Sequence, residues 1–250
     1  MATAAPTIRT NTSKAALPGR RFERLFFGVT ILMMLAAVVV GFGPTYYFVG
    51  GLRAPLPSLA IHVHGAIFSC WILMLVIQSS LVSARRVDIH RKLGLAGFLL
   101  ACVMIVAGLW AATDRLARGA AGPEQDPYFF YIIPLTDIAI FATLIFFAYR
   151  SRKNPSTHKR LVYLATVSLL IAAFARWPWH FVHRNAPHAA YATYIFLLML
   201  LVYDLYSTGK VHRATLWASG FLIFVQQIRL VIGATAWWHH FAAWVQSVAR

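Results

Sequence analysis

Long uninterrupted runs of apolar residues, separated by short basic clusters, dominate the pattern along this chain. Seven runs are long enough to cross a hydrocarbon layer of roughly 30 Å at about 1.5 Å of helical rise per residue. They lie near residues 25–49, 58–83, 92–113, 129–149, 160–182, 189–207 and 214–236. Period-two alternation, which every strand of an outer-membrane barrel needs, is absent from all of them. The pattern predicts an all-α polytopic bundle of seven transmembrane helices. Before it lies a basic segment, 1–24. After it comes an aromatic tail, 237–250, whose Trp237, Trp238, Phe241 and Trp244 suit a membrane interface.

Composition agrees with this reading. The 250 residues are 60% hydrophobic and 12% charged, about half the charge of an average soluble chain. A net charge of +16 would suit a nucleic-acid binder only if the cations shared one face of a soluble module. Instead they flank the apolar runs, which excludes nucleic acid as a partner and makes the lipid bilayer the first one. Cys70 and Cys102 each sit inside an apolar run, so the sequence predicts buried, inert thiols.

Cation asymmetry sets orientation. Sixteen Lys and Arg fall in the N-terminal segment and in the loops after spans two, four and six, against five (Arg53, Arg115, Arg118, Arg184 and Arg250) on the other side. The N-terminus is therefore expected in the cytoplasm and the C-terminus outside, in a bacterial-type inner membrane. The first span lacks a small-x-small cleavage site and reads as a retained helix. None of the five lysines lies within the membrane interior, Lys92 standing at the very start of its span, which excludes a retinal Schiff base. No phosphate-binding glycine loop and no Ser-His-Asp signature is present.

Three junctions on the basic side share a pattern: Asp88-Ile89-His90-Arg91-Lys92-Leu93, Ser156-Thr157-His158-Lys159-Arg160-Leu161 and Lys210-Val211-His212-Arg213-Ala214. Topology alone accounts for the cations, and a half-wet interface suits the histidines. The functional reading has His90 and His158 facing each other and ligating something between spans three and five. Their basic neighbours would then hold haem propionates or lipid headgroups.

A second set of polar residues lies near the opposite end. Asp137 sits roughly 12 Å into span four, His64 roughly 9 Å into span two and Arg176 roughly 24 Å along span five. Arg229 is at a similar depth in span seven, with Gln226 and Gln227 within a turn. Thr45, Tyr46, Tyr47, Trp177, Trp179 and His180 rim this layer. Asp137 is expected to pair with Arg176 or Arg229, leaving the other arginine without a carboxylate. That layer is either a packing device or an outward-facing pocket for a small anionic ligand, a quinone headgroup or a metal. Residues two apart on a helix diverge by about 200°, so only His64 of the pair His62 and His64 is expected to look inward. His183, His188, His239 and His240 fall in the outer loops and tail. Asp204, between Tyr203 and Tyr206, reads as structural, neutralised by a nearby cation.

Two resemblances rest on these residues. Pro44-Thr45-Tyr46-Tyr47, His62-x-His64-Gly65, Trp71, Gln78, His90-Arg91-x-Leu93-Gly94, His158-Lys159-Arg160-Leu161, Arg176-Trp177-Pro178 and the stretch from Gln226 to Gly233 resemble a family of seven-span bacterial inner-membrane proteins of unassigned activity. His64, His90 and His158, each near a helix end, are also similar to the cytochrome b561 scheme. There, four histidines hold two b haems and electrons cross the membrane. That resemblance implies haem b as cofactor, His90 and His158 as the inner axial pair and His64 as an outer ligand. The family's outer partner on span four has no counterpart here, where Asp137 is the polar residue. Three classes of function stand open: a haem redox protein, a binding or transport protein using the outer layer, and an accessory membrane subunit.

Overall fold

The computed structural model describes residues 19–120, 126–180 and 186–250. Arg9, Lys14, His183 and Arg184 therefore lie outside the described residues. Among those described there is no strand. The helices are α1 (Arg20–Phe42), α2 (Leu59–Ser83), α3 (Val87–Ala117), α4 (Pro127–Arg150), α5 (Pro155–Leu169), α6 (Ile171–Phe174), α7 (Ala186–Thr208), α8 (Arg213–Gly233) and α9 (Ala236–Ala249). Six of them, α1 to α4, α7 and α8, are long and apolar enough to cross a membrane. That set is compatible with a multi-pass membrane protein.

Local chemistry sets most boundaries. Ser58, Asp126, Asn154 and Thr235 each place a side-chain oxygen on a free N–H in the first turn of α2, α4, α5 and α9, which satisfies one of the donors a helix start leaves unpaired. Proline at the first position of α4 and α5 costs no hydrogen bond there. α1 runs into a single π turn, Gly43–Tyr47, starting next to Pro44.

The fifth apolar run differs most from its predicted form. It begins a turn early, at Pro155, and is divided at Leu170, whose angles (φ −70°, ψ −17°) are still right-handed helical. The Leu170 N–H bonds back three residues to Val167 at 3.1 Å, a local 3₁₀ tightening. The helix ends at Phe174. Arg176 therefore sits in the turn beyond it, not inside a span.

Consecutive helices pack as neighbours, and α4 lies at the centre against α3, α5, α8 and α9. One core joins Met34, Met104, Phe141, Leu144, Leu164, Leu200 and Leu222 across α1, α3, α4, α5, α7 and α8. A smaller cluster of Leu116, Tyr131, Ile132, Trp238 and Ala242 folds α9 back onto α3 and α4. The tail is thus a helix docked on the bundle through one face. Leu32, Leu99, Val106, Phe224 and Val231 point outward, as expected for surfaces whose solvent is lipid. Cys70 and Cys102 are free and belong to that outward surface, a correction to the expected burial. An apolar run buried in lipid does not say which of its faces meets protein.

Candidate functional site

The N-terminal parts of α1, α3 and α5 meet the C-terminal parts of α2 and α4 around a cavity. It encloses about 220 Å³, a little under the roughly 300–1,000 Å³ usual for small-molecule sites. Its walls are mainly apolar: Phe27, Trp71, Leu75, Phe98, Ile145 and Val162. His90 and His158, from separate junctions, both line it. The walls are tied together by Trp71 Nε1 donating to Thr166 Oγ1 at 3.2 Å and Tyr163 OH donating to the Phe196 carbonyl at 3.0 Å.

Hydrogen bonds set the state of each imidazole. His158 Nδ1 is 2.9 Å from the Ala148 carbonyl. A carbonyl only accepts, so Nδ1 carries the proton, and in the neutral ring Nε2 is the acceptor. His90 Nδ1 lies 2.5 Å from the Gln78 amide, whose other end is 3.1 Å from the Gly94 N–H. The amide orientation that satisfies both neighbours puts its oxygen on Gly94 and its NH₂ on His90 Nδ1. His90 then carries its proton on Nε2. One histidine offers an acceptor and the other a donor.

The mouth is polar. Lys159 Nζ pairs with Glu23 Oε1 at 2.7 Å, and Arg24 Nη1 donates to the Ser83 carbonyl at 3.2 Å. The third repeat is used differently: His212 Nδ1 accepts from the Ala214 N–H at 3.1 Å and caps α8. The shared motif therefore brings two of its three histidines to one cavity.

Sequence reasoning missed the partner of Asp204, which is fully enclosed and bound by Arg160 Nε at 3.0 Å and by Arg160 Nη2. Thr215 Oγ1 donates to the carboxylate at 2.5 Å and the His212 N–H at 3.0 Å. Arg160 also donates to the Ser156 carbonyl and hydroxyl, both at 2.8 Å. In the sequence Arg160 reads only as a topology cation. The available signal was its position within a turn of Ser156, with Asp204 the lone acid at that end of span six.

The outer polar layer divides in two. Asp137 pairs with Arg229 at 2.6 Å, both buried, and Arg229 Nη1 also donates to Thr136 Oγ1 at 3.1 Å. Gln226 is buried against the same carboxylate, and Gln227 donates to Tyr194 OH at 3.1 Å. Arg176 stands apart. It donates to the Ala172 carbonyl at 2.6 Å, covers the Phe42 ring at 4.5 Å and has no carboxylate among the described residues. His64 packs on Phe68 with ring centroids 4.0 Å apart, and its Nδ1 is enclosed without a hydrogen-bond partner. His62 Nδ1 is enclosed likewise, although the residue as a whole is only half-buried.

At the same end, His239 Nδ1 lies 2.9 Å from the Thr235 carbonyl and Nε2 lies 2.5 Å from Asp126 Oδ2. Both partners only accept, so both nitrogens carry protons and the ring is an imidazolium. The Thr235 and Asp126 contacts raise the His239 pKa above 6.5. Burial alone would raise Asp126, but the bonds from His239 and the Tyr128 N–H hold it below 3.8. Among the described residues no three His, Cys, Asp or Glu side chains converge as ligands for a metal ion. Comparison of the chain with protein-family models, with curated proteins and with solved structures finds no match in any of the three.

Proposed function

We propose that the protein is a redox protein of a bacterial-type inner membrane, with seven crossings and a cytoplasmic N-terminus, that holds haem b in the cavity lined by His90 and His158. The observation that carries this reading is that two histidines from separate junctions line one mainly apolar cavity. When bound, haem b supplies a one-electron carrier.

The residues around the cavity suit such a group. The Ala148 carbonyl orients His158 and leaves Nε2 free, the arrangement in which a second-shell acceptor raises ligand basicity. At His90 the same state requires the Gln78 amide to turn, so that Nδ1–H donates to its oxygen. Gln78 is therefore the positioning residue. Arg24 and Lys159 stand at the mouth where carboxylates of an amphiphilic cofactor would lie.

The test is a dithionite-reduced minus oxidised spectrum of protein purified in mild detergent. A b-type α-band, lost in His158→Ala and in His90→Ala, supports the proposal; a flat spectrum from folded protein overturns it. Gln78→Glu should keep the band, because a carboxylate accepts the same Nδ1–H. Gln78→Leu should weaken cofactor retention about tenfold.

Arg176 and His64 favour a second reading, an outward-facing site for a small anionic ligand or a quinone headgroup. Under that reading Arg176→Ala abolishes binding or uptake, and the His90 and His158 variants leave it intact.

A further inference from the structure

The third histidine-basic junction does not contribute to the cavity of His90 and His158, yet it too lines an open space. The α7–α8 turn and the α4–α5 turn face each other across an open groove of about 950 Å³. Lys210 and Arg213 line one side; Ser151, Asn154 and Thr157 line the other. No acidic residue lines it. Neither cation has an ion-pair partner among the described residues. The nearest acid behind the groove, Asp204, is fully enclosed and neutralised by Arg160.

The groove is amphipathic. Phe147 and Trp217 line it with ring centroids 5.2 Å apart. They remain 42% and 47% exposed, so the same two rings belong to the groove and to the apolar outer surface of α4 and α8. A ligand that fits must therefore be anionic at one end and apolar at the other. Free phosphate would use the cations and leave the rings uncovered. A neutral lipid would use the rings and leave two cations unanswered.

We propose that this groove is a binding site for one anionic phospholipid. Lys210 and Arg213 meet the phosphate, the Ser151 and Thr157 hydroxyls hydrogen-bond the headgroup, and an acyl chain runs along Phe147 and Trp217. Basic pockets between membrane helices recognise headgroups in this way, each Lys or Arg contributing on the order of 1 kcal/mol, about fivefold in affinity. The inference rests on the reading that α4 and α8 cross a bilayer. It does not depend on haem.

The experiment is native mass spectrometry of the full chain released from mild detergent, after titration with phosphatidylglycerol, phosphatidylcholine or inorganic phosphate. One tightly retained phosphatidylglycerol per chain is expected. Retention should fall about fivefold in Lys210→Gln and in Arg213→Gln, and further in the double variant. Arg85→Gln, on an exposed turn at the same end, should retain it as the natural chain does. Thermal unfolding of each variant without lipid separates lost binding from lost folding. Equal retention of phosphatidylcholine, retention unchanged in the double variant, or saturation by phosphate alone would each overturn the proposal. Recovery of folded protein from the soluble fraction without detergent would instead remove the membrane reading beneath it.

Discussion

At the scale of single residues the molecule contains two enclosed ion pairs of different completeness. Arg160 and Asp204 share six hydrogen bonds with each other and with Ser156, Thr215 and the His212 N–H, which leaves the carboxylate and guanidinium well answered. Arg229 of the Asp137 pair has its Nε enclosed without a partner. Removing one member of a buried pair strands the other, at a cost of about 3–5 kcal/mol. Asp204→Ala should therefore lower the unfolding temperature in detergent sharply, and Asp204→Ala/Arg160→Met should recover much of the loss. A double variant as unstable as the single one would mean that Asp204 acts chiefly through Thr215 and the α8 start. Asp204 was legible as a structural acid in the sequence, because an acid at a span end needs a cation. Its partner was not, because Arg160 satisfies the topology rule equally well by pointing to water. Likewise the pairing of Asp137 with one of two arginines followed from depth along the helix, whereas the choice of Arg229 depends on α4 packing against α8, which depth does not encode.

Elements add two constraints that composition hides. Gly41 sits where α1 meets α6: a Cβ there would lie 2.3 Å from the Ala173 carbonyl oxygen and 2.9 Å from its carbon. The obstacle is backbone, which cannot swing aside as a long side chain can. Gly41→Ala should separate the two helices and destabilise by about 1–3 kcal/mol, the range for overpacking, read as a lower unfolding temperature. A neutral result would mean that α6 shifts freely. The second constraint is the clasp between α9 and the start of α4. Because the folded His239 pKa is raised, its contribution is fully present below the unfolded value of 6.5 and is lost as pH rises through the folded value. Because the Asp126 pKa is depressed, its contribution is present above 3.8 and is lost as pH falls through its folded value. The clasp should hold α9 best between these limits. Amide exchange across residues 236–249 should accelerate as pH is raised past the His239 titration, after correction for intrinsic rates, and His239→Gln should remove that step. The tryptophans of the tail lead the sequence reading only to an expected interface. The docking of the tail was not legible, since Gln246 reaching the Leu116 carbonyl at 2.7 Å is a contact across 130 residues.

For the whole molecule the decisive quantity is the number of crossings. Six helices are long enough individually, and an even number would leave both chain ends on one side. The 20 residues from Pro155 to Phe174 amount to about 30 Å at helical rise, the thickness of the hydrocarbon layer. Packing bears on whether they use that length. Ser151 and Asn154 share a groove with Lys210 and Arg213, so the chain leaves that end through α5 and α6 and returns to it through α7. A seventh crossing through α5 and α6, matching the 23 residues of α7, is the count we propose. At this same end Arg24 reaches the Ser83 carbonyl, and Lys159 pairs with Glu23. Among the described residues, the start of α1 and the turns after α2, α4 and α7 thus lie at one end of the bundle, the clustering that the positive-inside rule would use. A periplasmic-reporting enzyme fused after Arg250 should then be active and one fused after Lys210 inactive, with a cytoplasmic reporter giving the opposite pattern. Should the 155–174 segment enter and leave on one side, the fusion at Lys210 would be active and the one at Arg250 silent. That outcome would overturn the seven-crossing proposal and, with it, the phospholipid groove, whose two walls would then lie on opposite sides of the membrane.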